Sequence, residues 1–296
     1  MRQSLSAASS AQFARTAYDE HMSTRYALLL DVDGPIASPE SRRVRPEITD
    51  ALTRLSQAGT PLVFNTGRSD AFISQTVLPG LTVGSEGAPI HAICEKGASW
   101  FTLTSSRESE LHVDESLVLP EALRSEIRDL TGEFADFMFF DETKRAMISV
   151  EQNTDVRNEL YQRVQAGFDQ KAAEAVERHG LSDRVRLDPT IISTDIEDSR
   201  VGKDLGADRA LELLRADGLD PADYVWRTVG DSRTDYAMAD RLHELGLTVA
   251  HVDVRPSDGI PEGRPYEVLT YEGLLHDDAG LAFLEELLAS LGQPGQ

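Results

Sequence analysis

Apolar positions along this chain follow two rhythms. Short, largely apolar runs occur at Ala27–Leu30, Leu62–Phe64, Tyr224–Val229 and Leu247–Val254, the first two of them unbroken. Runs of that length and composition suit strands buried on both faces of a parallel sheet. Between them the spacing changes to i, i+3, i+4, i+7, with Ile48, Ala51, Leu52 and Leu55 after Pro46, Leu205, Ala207, Ala210, Leu211 and Leu214 after Lys203, and Met238, Leu242 and Leu245 after Asp235. One face of each segment is therefore apolar, as in a helix packed on a sheet. Pro46 stands near the first turn of the first helix, and Gly59 and Gly246 close the first and the last of these three. Strand and helix in alternation predict an α/β protein with a Rossmann-like, doubly wound parallel sheet.

The rhythm changes between positions 99 and 200. Strand-like segments at Ala98–Leu103, Phe137–Phe140, Ala146–Val150, Val185–Leu187 and Ile191–Thr194 are interleaved with helical patterns at Glu121–Leu130 and Val156–His179. This predicts an inserted α+β unit, strands in one layer and two helices against it. The expected organisation is a core of residues 25–98 and 201–296, an inserted cap of 99–200, and an extension of 1–24 that reads as a mobile tail or a short added helix. A last strand at Glu267–Thr270 and a closing helix at Leu281–Leu291 complete the core.

Composition narrows the partners. With 296 residues and 40% apolar positions the chain can bury a substantial core, and its formal net charge is -22. A surface so acidic repels nucleic-acid phosphates and anionic membranes, which predicts neither as a partner. An anionic substrate then needs a local positive centre, a metal ion or placed Lys and Arg. Cys94 is the only cysteine, which excludes an intramolecular disulfide and predicts a reducing, cytoplasmic setting. No apolar run approaches the ~20 residues of a bilayer span. The first residues lack the apolar centre of a secretory signal.

Four polar stretches interrupt the apolar pattern at places where chemistry is expected. Asp31 and Asp33 follow the first strand, two positions apart, so both can face one bound group, and Gly34 lets the chain turn away. Thr66-Gly67-Arg68 ends the second strand; Lys203 opens a helix; Gly230-Asp231 and Asp235 follow a late strand. Carboxyl ends of strands in an open α/β sheet are where ligands bind. In this order and spacing the set resembles the haloacid dehalogenase-like superfamily, over the chain from about Tyr26 onward. Because the insertion lies between Thr66 and Lys203, it is similar to the second type of cap. Glu95-Lys96-Gly97-Ala98 is similar to the Glu-Asn-Gly-Ala turn of the Cof-like branch, in which sugar-phosphate phosphatases are frequent.

The chemistry agrees with what the resemblance implies. Hydrolysing a phosphate monoester can require lowering a barrier by on the order of 28 kcal/mol. Positioning, charge neutralisation and a covalent aspartyl-phosphate divide that task. Asp31 is the expected nucleophile and Asp33 the expected general acid and base. Four carboxylates and a phosphate in one place repel one another, and a hard divalent cation, Mg2+, resolves this. The resemblance implies Asp31, the backbone carbonyl of Asp33, Asp231 and Asp235 as its ligands, Asp235 either directly or one layer further out. Thr66, Gly67 and Lys203 are the expected phosphate-binding residues. Arg68 is expected to brace the site or a carboxylate; Arg68, Lys144 and Arg145 are the candidates for substrate specificity, the last two placed to meet sugar hydroxyls or a second anion. Pro35 and Thr234 depart from the family pattern without removing a carboxylate or the lysine. The expected activity is a Mg-dependent phosphatase of a small phosphorylated metabolite, most readily a sugar phosphate. A phosphomutase and a silent phospholigand-binding protein remain open, as do a monomer and a homodimer.

Overall fold

The structure, a computed structural model, describes residues 24–85, 87–105 and 107–291. The expected N-terminal extension lies, but for residue 24, outside the described residues. In chain order the elements are β1 (Tyr26–Leu30), α1 (Pro46–Gln57), β2 (Leu62–Asn65), β3 (Ile90–Cys94), β4 (Ser99–Leu103) and β5 (His112–Val113). Then come α2 (Glu121–Gly132), β6 (Met138–Phe140), β7 (Ile148–Gln152), α3 (Asn158–Arg178), β8 (Val185–Pro189) and β9 (Ser193–Asp198). The chain ends with α4 (Lys203–Ala216), β10 (Val225–Gly230), α5 (Tyr236–Glu244), β11 (Val249–Asp253), β12 (Glu267–Leu269) and α6 (His276–Leu291).

Eight strands form one sheet in the order β12-β11-β10-β1-β2-β3-β4-β5. From β12 to β3 the pairs are parallel, and β1 lies between β2 and β10. Successive side chains of β1 take opposite faces. Leu28 and Leu30 join Phe64 and the buried faces of α1 and α6, among them Leu52, Leu55, Phe283 and Leu287. Ala27 and Leu29 join Val63, Trp226 and the faces of α4 and α5, among them Leu211, Leu214, Met238 and Leu242. A strand covered on both sides has no polar face to offer, which is why its sequence reads as an apolar run.

The second sheet is antiparallel, in the order β6-β7-β9-β8, and carries α2 and α3 on one side around Ile127, Tyr161, Phe168, Ile148 and Ile196. Three differences from the expectation stand out. β4, assigned to the insertion, instead pairs antiparallel with β3 and extends the large sheet, as does β5. The turn between β3 and β4 is so short that backbone pairing with β3 is the nearest partner the segment has, and its apolar pattern is the same in either sheet. The strand expected at Ile191–Thr194 is shifted to Ser193–Asp198 and the closing helix starts at His276 rather than at Leu281. That early start places Asp277 and Asp278 on Arg45, before the first turn of α1. No helix among the described residues is long and apolar enough to cross a membrane.

Candidate active site

The central strands β1, β2 and β10 end together, and their following residues supply the site. The Asp31 N–H continues the ladder, donating to the Val229 carbonyl at 2.8 Å, so Asp31 sits at the last sheet position before the chain leaves. Gly34 has φ +97, and a Cβ there would lie 2.7 Å from the Asp231 carboxyl carbon. Only glycine allows both the turn and that approach. At Gly230 the close approach alone requires glycine: a Cβ would stand 2.2 Å from Asp235 Cβ.

Lys203 joins the pieces. Its Nζ lies 2.7 Å from Asp31 Oδ1, 2.7 Å from Asp235 Oδ1, and donates to the Asn65 carbonyl at 2.8 Å. The Asn65 amide returns a bond to the Lys203 carbonyl at 2.9 Å, fixing the start of α4 against the end of β2. Asp235 Oδ2 accepts from the Asp231 N–H, the Ser232 N–H and the Ser232 hydroxyl at 3.1, 3.0 and 2.8 Å. Asp235 thus caps the turn that precedes α5 and faces Lys203 at once. Oxygens of Asp31, Asp231 and Asp235 all lie within 4.8 Å of one another.

This crowding shows in the proton affinities. Burial first, then the charges of Asp235 and Asp33, push the Asp31 carboxyl well above the usual carboxylate range, while Lys203 pulls it back. Burial and then Asp235 push Asp231 up to about 6. Burial acts the same way on Asp235, but Lys203 and the Ser232 hydroxyl outweigh it and hold that carboxyl below its usual value. Burial disfavours the Lys203 charge, and Asp235 and Asp31 more than compensate, raising its pKa. One ammonium among two buried acids and a half-buried third leaves a surplus of negative charge. The donor set consists of hard oxygens, so it fits a small divalent cation.

Asp33 stands apart from that cluster. Arg68 Nε and Nη2 grip its two oxygens at 2.9 Å each, and Arg68 Nη1 lies 3.5 Å from Glu151 of β7. The guanidinium also lies over the Phe72 ring at 4.7 Å. Arg68 therefore braces a carboxylate. Thr66 is fully buried, and its hydroxyl accepts from the Arg68 N–H at 3.1 Å, shaping the turn that carries Gly67.

Lys144 and Arg145 are brought to the seam between the sheets, but both are engaged with the core instead of standing free for a ligand. Lys144 Nζ donates to the Gly67 carbonyl at 2.6 Å, and Arg145 pairs with Asp70 at 3.0 and 3.1 Å. An isolated polar cluster in a sequence gives no sign of which acceptors the fold brings opposite. Two groups near Asp231 were not foreseen: Arg255 Nη1 at 3.9 Å and His276 Nδ1 at 3.5 Å from its Oδ2. His276 comes from the far end of the chain, and nothing in its neighbourhood in sequence marks it.

No protein-family model matches the chain, and comparison with curated proteins finds no match. Solved structures do match. Aspergillus fumigatus trehalose-6-phosphate phosphatase is 17% identical over 94% of this chain and 97% of that one, with a TM-score of 0.51. The C-terminal domain of C. albicans trehalose-6-phosphate phosphatase is 15% identical over 94% of this chain and 96% of its own, at TM-score 0.60. A haloacid dehalogenase-like hydrolase from Bacteroides thetaiotaomicron is 13% identical over 89% of this chain and 100% of its own, at TM-score 0.59.

Proposed function

We propose, from the premise that this chain has the fold of the haloacid dehalogenase-like hydrolases, that it is a phosphatase of small phosphorylated metabolites, with sugar monophosphates as the substrate class. The observation that carries the reading is Lys203 held between Asp31 and Asp235 at the ends of the central strands, with Asp231 beside them and Asp33 two residues away. Trehalose-6-phosphate phosphatases among the similar structures support the sugar-phosphate class.

In this reading Asp31 Oδ attacks phosphorus, and the bond from phosphorus to the leaving oxygen breaks. Asp33 delivers a proton to that oxygen, then takes one from the water that opens the acyl phosphate, and the Asp31 carboxylate and inorganic phosphate result. Lys203 and the Thr66-Gly67 turn hold the phosphoryl oxygens. Asp31, the Asp33 carbonyl, Asp231 and Asp235 would hold Mg2+, which supplies charge neutralisation for the transferring group. Arg68 holds both oxygens of Asp33 while the site is at rest, so one of those two bonds must give way before Asp33, protonated from solvent or by the substrate monoanion, acts as the acid.

Asp31→Asn tests the assignment. The variant should retain the native circular dichroism spectrum and release no inorganic phosphate from an aryl phosphate or a sugar phosphate with Mg2+ present. Undiminished release by the variant refutes the nucleophile. A wild-type protein that converts a sugar phosphate to its isomer without phosphate release would be a mutase.

A further inference from the structure

The seam where the smaller sheet faces the site has an unusual charge arrangement. Glu95 and Lys96, in the turn between β3 and β4, both have left-handed backbones, with φ 49 and 55. That turn is wired into the site: the Lys96 N–H donates to the Thr66 carbonyl, and the Lys96 carbonyl accepts from Gly202, each at 2.9 Å. The Lys96 side chain runs past the phosphate turn, since a Cβ built on Gly67 would lie 3.6 Å from its Cε. Its ammonium ends among three acids of β8 and β9: Asp188 and Glu197 at 2.7 Å and Asp195 at 3.2 Å.

The other cations of the seam are committed as well. Arg68 holds Asp33 and faces Glu151; Arg145 holds Asp70; Arg186 holds Glu197; Lys144 is bound to the Gly67 carbonyl. Carboxylates on this wall outnumber the ammonium and guanidinium groups, and each of these cations has an acceptor of the protein's own. A leaving group that carried a second phosphate or a carboxylate would enter a field of its own sign with, among the described residues, no cation of the seam free to receive it. Hydroxyls find acceptors there, and an ammonium finds attraction.

Resting on the phosphatase reading, we infer that Lys96 with Asp188, Asp195 and Glu197 forms a leaving-group wall that selects by charge. The wall admits neutral polyol or amine-bearing leaving groups and refuses those with a second anion. A sugar bisphosphate is then a poor substrate.

The test uses three para-substituted phenyl phosphates of matched size, whose side arms end in an ammonium, a methyl or a carboxylate group. With wild-type protein and Mg2+, kcat/KM should fall in that order, by about tenfold or more from first to last. Asp188→Asn should narrow that ratio and Lys96→Met should widen it, because they change the wall's charge in opposite directions. A purely structural role would lower all three rates together and leave the ratio fixed. Hydrolysis of all three with a flat or reversed order overturns the inference and leaves the phosphatase reading standing. If none is hydrolysed and sugar phosphates are inert too, the phosphatase reading falls and the inference with it.

Discussion

At the scale of single residues, Lys203 decides whether the acids can share one place. Its side chain is nearly buried between Asp31 and Asp235. Lys203→Met would leave two buried carboxylates with no counter-charge, at a cost of about 3 to 5 kcal/mol. The melting temperature should drop, and Mg2+ should restore more of it in the variant than it adds to the wild type; calorimetry with and without the ion reads both. His251 gives a separate acid response. It is fully buried, its Nδ1 is 2.7 Å from the Thr228 hydroxyl, and burial lowers its pKa from 6.5 to about 4. Between those values the unfolded chain binds the proton and the folded chain does not. The stability contributed by the neutral ring is therefore complete above about pH 6.5 and is lost as pH falls toward 4, by on the order of 3 kcal/mol. Urea melts of wild type and His251→Asn across that range should show a smaller acid loss in the variant; parallel curves would refute the assignment.

At the scale of elements, one turn fastens the smaller sheet to the larger. Glu95 is buried, and its carboxylate accepts the N–H groups of Arg145, Ala146 and Met147 at 2.7, 2.9 and 3.0 Å. Ala98, Leu117, Ala146 and Val201 pack together beside it, where the chain crosses between the sheets. Charge-assisted bonds of this kind contribute about 1.5 to 3 kcal/mol each when their partners are otherwise buried. Glu95→Ala should free the segment around Arg145 while the eight-stranded sheet keeps its protection. Hydrogen exchange would then rise at residues 145–147 and stay low in β1 and β2; unchanged exchange at 145–147 would show that the carboxylate does not hold that loop.

For the whole molecule, the formal net charge of -22 sets the background against which the local positive centres work. Self-repulsion of so acidic a chain opposes the compact state, and salt screens it, with a Debye length of about 10 Å at 0.1 M. The melting temperature should rise with KCl well before any specific ion effect, and a decrease would mean that attractive pairs such as Arg186 with Glu197 dominate. If the chain is the phosphatase proposed above, the same field repels its phosphorylated substrate at a distance, and kcat/KM increases with moderate ionic strength.

Much of the core was legible along the chain, because a strand covered on both faces and a helix covered on one have different apolar periods, as β1 and α1 show. The acids at strand ends were legible for the same reason: they break an apolar run where the sheet stops. The side of the chain to which β4 belongs was not, since Ser99–Leu103 can pair in either sheet and only the tight turn before it favours β3. Nor could spacing tell that Lys144 and Arg145 clamp the core, that Lys96 meets acids some ninety to a hundred positions away, or that His276 reaches Asp231. Local sequence determines which surfaces must be buried; which charges face one another across a seam is decided by packing, because electrostatic partners follow distance in space and not along the chain.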